Sequence, residues 1–90
     1  MFIVMFYTYV LKSTKANKLY TGFTNNLRKR FSDHNRGVST YTKDYRPYVL
    51  IYYEACHNEE DARSRELYLK SGMGKRYIKN RIKRFLSLTG

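Results

Sequence analysis

The sequence predicts a small α/β (α+β) domain: a three-stranded, mostly antiparallel sheet flanked by helices, in the order β-β-α-β-α-α. Three observations lead there. Two runs rich in β-branched and aromatic residues, one near the N-terminus and one after the only proline, have the composition of strands. Two later segments open on asparagines able to cap a helix and carry apolar residues at helical spacing. The 90 residues, 42% hydrophobic and 17% aromatic, suffice for one thin core and leave no room for a second domain or an appended specificity module. Residues 1–90 are therefore read as a single domain.

Phe2 to Leu11 is apolar at both alternating positions, as a central strand buried on both faces requires. The run Met1 to Leu11, ended by Lys12, is too short to cross a bilayer as a helix, and it has neither a basic leader nor a small-residue cleavage site. Ser13 to Asn17 forms a polar turn, Lys18 to Thr21 a short second strand, and Gly22 ends this hairpin. Thr24-Asn25-Asn26 offers caps for a helix from about Leu27 to Arg36, stopped by Gly37. Leu27, Phe31 and Phe23 give it a modest apolar stripe. Val38 to Arg46 is a polar loop. Pro47 can open a strand but not sit inside one, so the third strand is Tyr48 to Glu54. Asn58 caps the next helix, with Glu59, Glu60 and Asp61 at the positive end of its dipole. This helix runs to about Ser71 and breaks at Gly72. After Gly74 a last helix presents Ile78, Ile82, Phe85 and Leu86 on one face, with Lys75, Arg76, Lys79, Lys83 and Arg84 on the others.

Eighteen Lys and Arg against seven Asp and Glu give a net charge of +11. Charge of that density makes polyanions the first partners to consider, and nucleic acid above all. Fifteen aromatics (ten Tyr, five Phe) separate the chain from disordered basic tails, which lack apolar surface to offset chain entropy. No segment combines a wide, bulky apolar face with a basic one, which disfavours a membrane-surface protein. The lone Cys56 cannot form an intramolecular disulfide, and no Cys/His cluster has zinc-ligand spacing. Cys56 is expected to be a small buried hydrophobe in a reducing, cytoplasmic setting.

Chemistry-bearing residues stand out against plainer readings. Tyr9 and Tyr20 lie on paired strands, where antiparallel pairing can bring them to one face, although tyrosine is also an ordinary strand residue. Arg30 and His34, four apart on a helix, share a side. They form either a solvated basic face or a guanidinium that grips phosphate beside an imidazole. Glu66 falls on the inward stripe Ala62, Glu66, Leu69, continued by Met73. A carboxylate there needs a partner. That partner is an ion-pairing Arg63, Arg65 or Lys70, or a metal. A lone carboxylate suits Mg²⁺, which keeps several waters and takes further oxygens from phosphate. The Lys70–Arg84 segment is rich in Lys and Arg and suggests a phosphate-contact surface.

Tyr7-Thr8-Tyr9, the step to Tyr20-Thr21-Gly22, Asn26 to Arg30, His34 and Glu66 together resemble the GIY-YIG nuclease domain. More closely, they resemble the small single-domain bacterial subgroup related to the N-terminal nuclease of the excinuclease C subunit. Glu66 to Gly74 also resembles that subgroup's E-x-x-L-K-S-G-x-G pattern. The resemblance implies catalytic roles for Tyr9, Tyr20, Arg30 and His34 and metal binding by Glu66. The cofactor it implies is Mg²⁺ or Mn²⁺. It further implies an endonuclease that hydrolyses DNA, structure-selective or weakly specific, in repair or recombination. Tyr20, helped by Tyr9 or His34, is the candidate base. A phenol serves as one only where a cation such as Arg30 or the metal favours phenolate. Phe23 stands where the relatives often have lysine, removing a cation from the site. Arg28, Lys43, Arg46, Lys70, Lys75, Arg76 and Lys79 are the expected nucleic-acid contacts of a monomer or weak homodimer. The competing reading is a non-catalytic nucleic-acid-binding module that retains the fold.

Overall fold

In the computed structural model, which describes residues 4–88, β1 (Phe6–Ser13) is the middle strand of a sheet ordered β2-β1-β3. Both neighbours, β2 (Leu19–Thr24) and β3 (Tyr48–Cys56), run antiparallel to it. The central position explains the doubly apolar sequence of β1, because alternate residues enter two different cores. Tyr9 and Leu11 pack with Tyr48 and, from α1 (Leu27–Arg36), with Leu27 and Phe31. Val10 packs on the other face with Leu69 of α2 (Glu59–Lys70) and Ile78 of α3 (Gly72–Arg81). Thr8 shares that second face and its buried hydroxyl donates to the Ala62 carbonyl at 2.7 Å, tying α2 to the sheet. A short α4 (Lys83–Leu88) follows.

Helix starts follow the side chains that cap them. Asn26 accepts from the Lys29 amide at 3.2 Å and Asn58 from the Asp61 amide at 3.0 Å. Ser71 accepts from the Gly74 amide at 3.2 Å, a cap the sequence reading did not assign.

Several boundaries differ from expectation, each for a local reason. β1 starts at Phe6, where its pairing with β3 begins opposite Cys56, and Phe2 and Ile3 lie outside the described residues. β2 continues through Gly22 to Thr24 instead of ending there. Gly22 is a strand residue because it stands opposite Tyr9, whose ring lies over it: a Cβ at position 22 would be 2.6 Å from Tyr9 Cζ. β3 extends to Cys56, pairing with Phe6.

The chain turns at Ser71 directly into α3, so Gly72 and Gly74 are its first turn and not a linker. Gly74 is there because α3 begins against the end of α2. A Cβ at Gly74 would meet the Tyr68 backbone, 2.6 Å from its carbonyl carbon. That turn also takes Met73 off the expected inward stripe, leaving it 67% exposed. The single last helix is in fact α3 and α4, separated at Ile82 (φ −118°, ψ 30°). Cys56 is half-buried, and its thiol donates to the Asn58 carbonyl at 3.3 Å, so it marks a turn and not a core.

Candidate active site

The pairing of β1 with β2 sets the first part of the site. Tyr20 lies opposite Leu11, two places from the Tyr9–Gly22 pair, so the two tyrosines share a face diagonally. Their ring centroids are 6.3 Å apart. Tyr9 is buried and Tyr20 half-buried, which leaves Tyr20 as the phenol accessible from solvent.

α1 supplies the second part. His34 is fully buried, and its Nε2 stands 2.8 Å from the Tyr9 hydroxyl and its Nδ1 2.7 Å from Thr42 Oγ1. A neutral imidazole has one donor and one acceptor, so one contact is donated by the ring and the other accepted. The Tyr20 ring packs on His34 at 4.9 Å between centroids. Burial, reinforced by the Arg30 charge and only partly opposed by Asp33, lowers the His34 pKa to about 4. The ring is therefore neutral at physiological pH. This result discards the solvated-face reading of His34.

One turn earlier on the helix, Arg30 stands near enough to Tyr9 and Tyr20 for both phenols to act on its charge. Burial alone would lower its pKa, but the two phenol oxygens outweigh that and raise it, so the cation is firmly retained. Tyr9 moves the same way for a different reason. Burial first, then Tyr20, hold its pKa above the ordinary phenol value despite Arg30, and the Glu66 charge adds to the rise. Tyr9 is thus a protonated donor and not a phenolate.

Glu66 lies on α2, which packs on the opposite face of the sheet, and its charge is the smallest contribution to the Tyr9 shift. Its side chain is only 17% exposed and pairs with Lys70 at 3.0 Å, one turn on. Arg63 and Arg65, the other expected partners, are engaged elsewhere, with Glu59 and Glu54. Among the described residues no group of three or more His, Cys, Asp or Glu is positioned to hold a metal. A zinc site needing three or four protein ligands does not fit. One half-buried carboxylate beside a face open to phosphate does fit Mg²⁺ or Mn²⁺ with water and substrate oxygens completing the shell.

The expected nucleic-acid contacts do not form one patch. Lys70 and Lys75 line a cavity of about 290 Å³ beside Tyr20 and Thr21. Lys75 and Lys79 also line a neighbouring groove. Arg28 lies in a separate depression with Tyr7 and Tyr53, and Arg76 in another with Tyr68 and Tyr77. Lys43 is exposed in a 3-10 turn (Lys43–Tyr45), and the Arg46 guanidinium lies against Gly37.

Thr42 was not picked out from the sequence. It sits in a loop eight residues from His34, and no spacing rule pairs a loop threonine with a helical histidine. Asp33 was also missed. It is buried beside His34 with Lys29 at 2.9 Å and Arg36 as partners, and those two hydrogen bonds lower its pKa. An acid inside a basic helix, with cations at i−4 and i+3, was the available signal.

Comparison with known proteins agrees with this geometry. The model of the GIY-YIG catalytic domain matches residues 5–80. A UPF0213 protein of Clostridium perfringens is 48% identical over 67 residues, covering 73% of this chain and 71% of the relative. A UPF0213 protein of Pediococcus pentosaceus is 44% identical over 85 residues, covering 93% and 88%. One from Staphylococcus haemolyticus is 42% identical over 66 residues, covering 72% and 79%. No solved structure matches the chain significantly. With the catalytic-domain match running through both tyrosines, the α1 pair and Glu66, the chain belongs to the GIY-YIG family, a family of nucleases.

Proposed function

We propose that the protein is a metal-dependent endonuclease that hydrolyses phosphodiester bonds in DNA, structure-selective or weakly specific, in cytoplasmic repair or recombination. The observation that carries this reading is the clustering of Tyr20 on Tyr9 and His34, with ring centroids 6.3 and 4.9 Å apart, where the Arg30 charge acts on both phenols. A domain that only bound nucleic acid would gain nothing from a carboxylate facing phosphate.

Hydrolysis requires a water to attack phosphorus and lose a proton while the phosphodiester P–O bond breaks. Tyr20, the half-buried phenol, is the group placed to take that proton, and Arg30 is the cation that would pair with its phenolate. The same guanidinium offsets charge growing on the non-bridging oxygens. Tyr9 and His34 are positioning residues: buried and hydrogen-bonded to each other, they fix the wall against which Tyr20 packs. Glu66 would hold the divalent cation, with Lys70 released to a phosphate. A bound Mg²⁺ or Mn²⁺ supplies Lewis-acid stabilisation of the leaving oxygen.

The Glu66–Lys70 pair favours a second reading, in which Glu66 is structural and the protein a non-catalytic binder. Glu66→Gln separates the two. It keeps shape, removes charge, and breaks a pair whose lysine is half-exposed, so the stability cost is about 1 kcal/mol or less. Under the nuclease reading, metal-dependent cleavage is lost, DNA affinity measured in chelator is unchanged or tighter, and the melting temperature barely moves. Unchanged cleavage with a large melting-temperature loss would assign Glu66 to structure.

A further inference from the structure

Beside Tyr20 the molecule carries a second feature that the chemistry above does not use. Lys12, Lys18, Lys75, Lys79 and Lys83, floored by Leu86, line a groove of about 720 Å³. It shares Leu19 and Lys75 with the cavity at Tyr20, so the two are continuous. Lys12 follows Val10 on the α3 side of β1, where the apolar core gives way to charge. Lys75 and Lys79 are one turn apart on α3. Lys18 is steadied by the Tyr45 ring, with Nζ 4.2 Å from its centroid.

Two properties decide what such a groove receives. Among the described residues none of the five lysines has a carboxylate partner, whereas the ion pairs of Lys29, Arg36, Arg63, Arg65 and Lys70 lie elsewhere. Lysines gathered along one channel without a carboxylate partner call for a chain of anions, not a single one. The lining carries no aromatic ring. Single-stranded nucleic acid is normally held by stacking its bases on aromatic side chains, whereas duplex is held through phosphates. Lysine is a point charge without the fork that reads a base or grips one phosphate bidentately.

We propose that the lysine groove seats a duplex arm of the DNA substrate, holding the sugar-phosphate backbone as it runs away from the scissile phosphate on the β-hairpin side of Tyr20. Its link to cleavage rests on the nuclease reading; the binding does not. The groove is blind to sequence and makes the substrate one with double-stranded DNA on that side of the cut.

The test removes three exposed lysines together, Lys18→Gln, Lys79→Gln and Lys83→Gln, against a control losing equal charge elsewhere, Lys29→Gln, Arg63→Gln and Arg81→Gln. Circular dichroism verifies both folds. Affinity for a short duplex and for a single strand of equal length is measured in chelator across a salt series. Each lost phosphate contact lowers the slope of log K against log[salt] by about 0.9, so the groove variant should lose about three in slope and bind duplex roughly a hundredfold or more weakly at low salt. The control should stay within about one of the wild-type slope. Equal loss in both variants, or an unchanged slope in the groove variant, overturns the groove. Lysine-dependent binding of single strand as tight as of duplex overturns the duplex assignment. Wild-type protein that binds duplex through these lysines yet cuts no substrate with Mg²⁺ overturns the nuclease reading and leaves the groove standing.

Discussion

Acidification should destabilise this protein through one side chain. His34 is fully buried with a pKa of about 4, against 6.5 for a solvated histidine. A depressed folded-state value means the unfolded chain takes up the proton first. Stability from this group is therefore complete above pH 6.5 and is lost as pH falls from there towards 4. Linkage over that gap costs about 2 kcal/mol by pH 5 and about 3 kcal/mol once both states are protonated. For a chain of this size 1 kcal/mol moves the melting temperature by roughly 4–8 °C, so a fall of about 8–16 °C is expected between pH 7.5 and pH 5. Asp33, held below the ordinary carboxylate value by Lys29 and Arg36, titrates beneath this window. The assay compares wild type with His34→Gln by thermal melting at each pH. The variant starts less stable, and the gap should shrink by about 2 kcal/mol on going to pH 5. A gap that stays constant with pH would refute the buried neutral imidazole.

Thr42→Val keeps volume but leaves His34 Nδ1 without its partner at 2.7 Å, and should cost about 1–3 kcal/mol in urea denaturation; a loss under half of that would mean the loop relaxes to repair it. Gly74→Ala drives a methyl into the Tyr68 backbone and should destabilise by more than about 2 kcal/mol. Gly72→Ala, two residues earlier with nothing within 4 Å, should be neutral or stabilising by up to about 1 kcal/mol. Equal effects at the two glycines would contradict the docking of α3 onto α2.

Elements whose signals are local were legible in the sequence. The doubly apolar β1, the proline before β3 and the two asparagine caps each depend on residues within one or two turns. What failed depended on distant partners. Gly22 and Gly74 carry the usual marks of chain breaks, yet each is small because another segment lies against it: the Tyr9 ring in one case, the end of α2 in the other. Met73 continues the spacing of α2 in the sequence, but α3 starts at Gly72 and turns that residue outward. The burial of His34 was equally hidden, since the residue that satisfies it, Thr42, belongs to a loop.

Why these side chains meet at all is a matter of topology. Helix α1 covers one face of the sheet and α2 with α3 the other, so Arg30 and Glu66 start on opposite sides of β1. A continuous sheet would keep them apart. β2, however, is an edge strand, and among the described residues no further strand pairs beyond it. Charges from both layers nevertheless act on one phenol, Tyr9: Arg30 from α1 and, more weakly, Glu66 from α2. Exposed edges invite pairing with other chains and are usually blunted by charge or covered. Here the edge is occupied by Tyr20 and Gly22 and flanked by Lys70 and Lys75. The position that a small sheet must protect is also the one from which both helical layers can be reached. A third helix layer or a further strand beyond β2 would bury the cluster and close the groove that leads to it.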